Sequence, residues 1–294
     1  MNKLGGIYSA LLCAYDANGR PDENALGSVV DFNIDVSGID GLYVNGSTGE
    51  SFNMSLCDRK TVIRAAASHT AGRVKLIAQV GCNVLEEIYE LCDLCAECGY
   101  DAVSAVAPFY YPYSKAELIA HYKRIADYSK LPLVIYNIPV RTGVALTLAD
   151  FRELLGYKNI AGVKFTSNDF FLLEQVRSEF PEALILSGFD EMLLSAAVLG
   201  TDGAIGSTYN FIGFWAKTVM DGVHSGNLAA AFAAQHKING AVQLMLDGGI
   251  LPVMKAMLAQ YGVCDTGCRL PMAALTDEHR MCACAVKNYI DSNK

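Results

Sequence analysis

The chain has 294 residues, 52% of them hydrophobic and only 18% charged, with a mean hydropathy of +0.25; so apolar a composition excludes disorder and calls for a large core. Thirty-one acidic against 23 basic residues leave a formal net charge of −8, and no run of Lys and Arg exists, which argues against a nucleic-acid partner. Apolar stretches fall short of the roughly 18–20 residues that span a bilayer, and the N-terminus lacks a signal-peptide pattern, so a cytoplasmic protein is expected.

Along the chain, short apolar runs alternate with helical patterns as far as about residue 224. Strands are predicted at 6–14, 41–45, 74–80, 102–107, 133–137, 161–165, 184–187 and 203–206. Several are apolar throughout, as parallel strands buried on both faces require. Between them, helix starts are marked by Ser55, by Ser114 with Glu117 at the capping-box spacing, by Thr147 and by Asn168-Asp169. Eight such repeats with helical crossovers predict an α/β fold, a (β/α)8 TIM barrel. An open doubly wound sheet is the alternative, but no G-x-G-x-x-G follows a strand to mark a dinucleotide site.

Within the helix before the fourth strand, Cys92, Cys95 and Cys98 form a C-x-x-C-x-x-C run. It lacks the fourth Cys and following Pro of a bacterial iron–sulfur site, so these cysteines are read as packing. Beyond residue 224 the strand signals stop, and helices are predicted at 227–240, 250–261 and 276–290. The chain thus divides into a catalytic barrel, 1–224, and a C-terminal three-helix extension, 225–294, packed on it. No Pro- or Ser-rich linker separates the two, which are read as one folding unit.

Catalytic groups of such barrels project from the C-terminal ends of strands. Lys164 interrupts an apolar strand there, where an ammonium is costly to bury. It is either a lysine snorkelling to solvent or an amine tuned for attack on a carbonyl. Tyr136 lies 28 positions earlier, one βα unit back; it is either a rim aromatic or a phenol placed to move protons beside that amine. Gly46-Ser47-Thr48-Gly49-Glu50 is an ordinary turn or an anion-binding nest. Asp190 and Glu191 are either a helix N-cap with a first-turn acid or ligands for substrate hydroxyls. The five histidines form no zinc motif, and neither a metal nor a cofactor is expected.

Together these pieces resemble the N-acetylneuraminate lyases, within the dihydrodipicolinate synthase superfamily of pyruvate-dependent class I aldolases. The resemblance runs from Gly6 to at least Gly213. Its anchors are the segment 41–50, Asp101-Ala102-Val103-Ser104-Ala105-Val106, Tyr136-Asn137-Ile138-Pro139 and Lys164-Phe165-Thr166. Lyase-like features are Ser47, Phe109-Tyr110-Tyr111-Pro112, Gly188-Phe189-Asp190-Glu191 and Gly206-Ser207-Thr208-Tyr209-Asn210.

The resemblance implies cleavage of N-acetylneuraminate to N-acetylmannosamine and pyruvate through an imine on Lys164. Tyr136 would move protons with Ser47 and Tyr110 as relay partners. Ser47 and Thr48 would hold the carboxylate, and Thr166, Gly188, Asp190, Glu191 and Ser207 would line the polyol pocket. It also implies a homotetramer with Tyr110 near a subunit interface. Two positions depart from the pattern. Arg141 resembles the synthases, where an Arg here contacts a substrate carboxylate, and keeps dihydrodipicolinate synthase or another pyruvate aldolase as the alternative. Cys13-Ala14-Tyr15 replaces the usual Thr-Pro-aromatic and is expected to loosen a turn near the site. A non-catalytic sugar-acid binding protein would be expected to have lost Lys164 or Tyr136, and both are present.

Overall fold

The computed structural model describes residues 4–294. Strands β1 (Gly6–Ala10), β2 (Gly41–Val44), β3 (Lys75–Gln79), β4 (Ala102–Val106), β5 (Leu133–Asn137), β6 (Ile160–Phe165), β7 (Leu184–Ser187) and β8 (Gly203–Gly206) are all parallel. They follow one another in sequence order and close into a barrel through β8 and β1. The predicted barrel is therefore the one observed.

Alternation along each strand divides the apolar residues between two cores. Tyr8, Tyr43, Ile77, Val134, Tyr136, Leu184, Leu186 and Ile205 fill the barrel interior. Their neighbours, such as Leu42, Val44, Ile135, Val163 and Ile185, face the surrounding helices. Both faces being buried is why these strands read as unbroken apolar runs. Helix starts fall where the sequence placed them: Ser55, Ser114, Thr147 and Asp169 each accept a backbone N–H of the first turn, Ser114 and Thr147 as full capping boxes.

Two boundaries differ from expectation by four residues or more. β1 ends at Ala10, four residues early, because the ladder stops there while the apolar burial does not. Leu12 N–H turns to Asn210 Oδ1 at 3.2 Å, and the Ala14 carbonyl accepts Asp22 N–H at 3.0 Å. Nor is the turn at Cys13-Ala14-Tyr15 loose: all three residues are buried, and Tyr15 N–H donates to Thr266 Oγ1 at 2.8 Å.

The second difference lies at the helix expected to stop at Gly240, which runs Leu228–Asp247. Gly240 is not a terminator there. A Cβ on it would sit 2.2 Å from the Tyr289 hydroxyl, so the glycine admits close approach of helix Asp277–Asn293. At Gly248-Gly249 the chain bends by 106° into helix Ile250–Gln260. These three C-terminal helices pack on one another, and Leu228–Asp247 packs along the barrel helix Tyr209–Ser225. Among the described residues, no single helix is long and apolar enough to cross a membrane. Cys92 and Cys95 sit in the core with thiol pKa values pushed up by burial, and all ten cysteines are free.

Candidate active site

Lys164 pairs across the sheet with Tyr136 on one side and Leu186 on the other. Both of those residues belong to the interior core, so strand parity points Lys164 the same way. It is only 4% exposed and forms no ion pair among the described residues. Its Nζ instead lies 4.0 Å from the Tyr136 ring centroid and 4.4 Å from that of Tyr43. Aromatic faces offer a buried cation partial compensation for lost water without fixing it in a salt bridge. Tyr43 had escaped the sequence reading, although its parity on β2 could have revealed it. Its ring meets Tyr136 edge-on, and its hydroxyl donates to Ser104 Oγ at 3.0 Å. Burial, and then the neighbouring Tyr136, push the Tyr43 hydroxyl well above the ordinary phenol range.

The turn after β2 is bracketed by two non-glycine residues in left-handed conformation, Asn45 at φ +57° and Glu50 at φ +61°. Inside it, Gly49 N–H donates to the Gly46 carbonyl at 3.1 Å and Glu50 N–H to that of Ser47 at 3.0 Å. The N–H groups of Ser47 and Thr48 make no such bond among the described residues. Successive unpaired N–H groups are what an anion nest requires. Thr48 Oγ1 and Ser207 Oγ share a hydrogen bond of 2.6 Å, tying this turn to the end of β8.

Around Lys164 opens a cavity of about 700 Å³. Ser47, Thr48, Tyr136, Lys164, Thr166, Gly188, Asp190, Glu191 and Ser207 all line it, and Arg141 lines it with its side chain exposed and unpaired among the described residues. Thr166 Oγ1 is buried with no hydrogen-bond partner, and a Cβ on Gly188 would lie 1.8 Å from it. Only glycine leaves that hydroxyl its space. Tyr110 alone of the expected set lies apart. It is 88% exposed on the loop after β4, at φ +81°, and packs edge-on against Tyr111.

Asp190 opens a short turn, Asp190–Met192, and is not a helix N-cap. Its Oδ2 accepts both Thr208 N–H at 2.8 Å and Thr208 Oγ1 at 2.6 Å. Burial pushes its carboxyl up to about 6, more than Thr208 and Lys164 pull it down. Asn210 braces the same end of β8: its Nδ2 donates to the carbonyls of Ala10 at 2.7 Å and Ser207 at 2.8 Å. The C-terminal helices also reach the cavity, through Val242, Ile250, Leu251 and Met254. Gln235 of helix Leu228–Asp247 holds the Asp190 carbonyl at 3.1 Å. Sequence reasoning missed these C-terminal residues, since nothing local marks a helix residue for a site so distant along the chain. Chemically, the arrangement presents an amine, a phenol, an anion nest and a wall of hydroxyl and carboxylate groups to one space.

The Dihydrodipicolinate synthetase family matches residues 3–287. An N-acetylneuraminate lyase of Clostridium perfringens is 44% identical over 275 residues, 94% of this chain and 96% of that protein. CdNal of Clostridium difficile, solved in complex with mannosamine, superposes with a TM-score of 0.95 at 42% identity, covering 98% of this chain and 100% of its own. A sialic acid aldolase of Ruminococcus gnavus, solved as a catalytic lysine mutant, superposes with a TM-score of 0.94 at 28% identity, covering 100% of this chain and 98% of its own.

Proposed function

The chain belongs to the dihydrodipicolinate synthetase family, and we propose that it is a class I aldolase cleaving N-acetylneuraminate to N-acetylmannosamine and pyruvate through a Schiff base on Lys164. The observation that carries this reading is the buried, unpaired Lys164 between two aromatic rings in a cavity that also holds an anion nest.

The amine of Lys164 adds to the C2 keto carbon of the open-chain sugar acid, Tyr136 gives its phenolic proton to the departing hydroxyl, and water leaves a protonated imine beside the Tyr136 phenolate. The Ser47 and Thr48 N–H groups take the carboxylate, which sets C2 toward Nζ. Tyr136 accepts the proton of the C4 hydroxyl, passed along Ser47 and Tyr110. As the C3–C4 bond breaks, its electron pair moves into the imine to form an enamine, and the C4 oxygen becomes the aldehyde of N-acetylmannosamine. Protonation at C3 and hydrolysis return pyruvate and free Lys164. The imine nitrogen is itself the electron sink. Thr166, Gly188, Asp190, Glu191 and Ser207 shape the polyol end, with the unpartnered Thr166 hydroxyl available to a sugar hydroxyl. Because Tyr110 is exposed and outside the cavity of its own chain, its relay role belongs to a neighbouring copy, in keeping with a homotetramer. Ten free thiols are in keeping with a reducing, cytoplasmic setting.

Arg141 favours a second reading. An exposed, unpaired guanidinium at the cavity suits an acidic aldehyde, as in the synthases. Borohydride trapping with pyruvate, read by mass spectrometry, tests the imine: Lys164→Ala should abolish the adduct, and an adduct that survives removes the aldolase assignment. Pyruvate release from N-acetylneuraminate, set against condensation of pyruvate with aspartate semialdehyde, separates the two substrates. Turnover of the second alone makes the lyase reading wrong.

A further inference from the structure

Lys255 and Glu50 form an ion pair of 2.9 Å with both side chains fully buried. Such pairs are costly to desolvate, and apolar residues of equal volume commonly serve stability as well or better. The pair therefore calls for a role other than stability, and its surroundings supply one. Glu50 closes the turn 46–50 in a left-handed conformation that a non-glycine residue holds only under constraint. Its second oxygen accepts Arg269 N–H at 2.7 Å. Lys255 Nζ also donates to the Cys13 carbonyl and lies 4.5 Å from the centroid of the Tyr15 ring. Tyr15 in turn donates its hydroxyl to the Gly49 carbonyl at 2.9 Å. The last two residues of the turn are thus gripped by Lys255, Arg269 and Tyr15, while Ser47 and Thr48, together with Glu50, line the cavity.

We propose that Lys255 is a positioning residue for the carboxylate nest: acting through Glu50, and with Tyr15 beside it, it sets where the Ser47 and Thr48 N–H groups stand. The C-terminal helices are on this account part of the substrate-binding device and not only a flank. The inference rests on the aldolase reading, because it takes the nest to hold a pyruvate carboxylate.

The test compares pyruvate with acetone, a ketone that lacks the carboxylate, in borohydride trapping on Lys164. In the charge-free double variant Lys255→Met/Glu50→Gln, the trapping efficiency for pyruvate should fall roughly tenfold, the scale expected when a bound group is misplaced by a fraction of an ångström. Efficiency for acetone should stay within about twofold, so the preference for pyruvate collapses. Tyr15→Phe keeps the ring under Lys255 and removes the hydroxyl's bond to Gly49, along with its contact to the Cys13 thiol; it should lower the preference by about threefold. That milder variant carries the test alone if the double variant does not fold. Folded variants that keep the wild-type preference overturn the proposal, and so does a parallel loss for both ketones, which would mark the pair as packing. A wild-type protein that forms no pyruvate adduct overturns the aldolase reading itself, and this inference with it.

Discussion

Asp190→Asn isolates the cost of a buried carboxylate near Lys164. In the folded protein Asp190 is raised from 3.8 to about 6, chiefly by burial. That rise amounts to about 3 kcal/mol between the two protonation states. The native state holds the proton more tightly than the unfolded chain. The neutral acid's contribution to stability is therefore complete below pH 3.8 and is lost as pH rises through about 6. Asn keeps an oxygen where Oδ2 now accepts both Thr208 donors, and it carries no charge. Denaturant unfolding should find the variant about as stable as wild type at pH 4 and more stable at pH 7 by up to about 3 kcal/mol, roughly 5 °C in Tm. A stability difference that stays the same from pH 4 to pH 7 would show that the carboxylate is not strained by its burial. The stabilised variant should also bind the sugar more weakly, a trade common where an active site carries a desolvated charge.

Three substitutions probe the pocket and its frame. Gly188→Ala places a Cβ 1.8 Å from Thr166 Oγ1 and should raise the KM for N-acetylneuraminate about tenfold or more while leaving pyruvate trapping within about twofold. Gly162→Ala drives a Cβ to 1.9 Å from the Leu184 carbonyl oxygen, against the backbone of β7; a loss of about 3 kcal/mol or more is expected in denaturant unfolding. Arg141→Ala removes an exposed guanidinium with no partner among the described residues, so sialic acid cleavage should stay within about threefold of wild type. A large loss would show that Arg141 has been recruited to this substrate.

How far the sequence reaches is clearest in particular residues. Lys164 was legible because a lysine inside an apolar strand breaks a strong local pattern, and Tyr136 because one βα unit separates it from Lys164. The caps Ser55, Ser114 and Thr147 were legible because capping is a matter of three or four neighbouring residues. Tyr43 was hidden in a strand where an aromatic is unremarkable, and only the register that sets it beside Lys164 gives it a role. Tyr110 was assigned to the site by resemblance, and one chain by itself leaves it in solvent.

The sequence by itself determined the eight strands, their order and the helices between them, and it singled out Lys164, because apolar periodicity, caps and a misplaced charge are local signals. Tertiary structure decided where β1 ends, why Gly240 does not stop a helix, and which C-terminal side chains enter the cavity. It also joined Lys255 to Glu50 and Tyr15 to Thr266. Those pairings lie more than 200 residues apart in the chain. They exist because barrel closure brings β8 against β1 and lays the last helices over the loops at its mouth, a consequence of geometry that no short window of residues encodes.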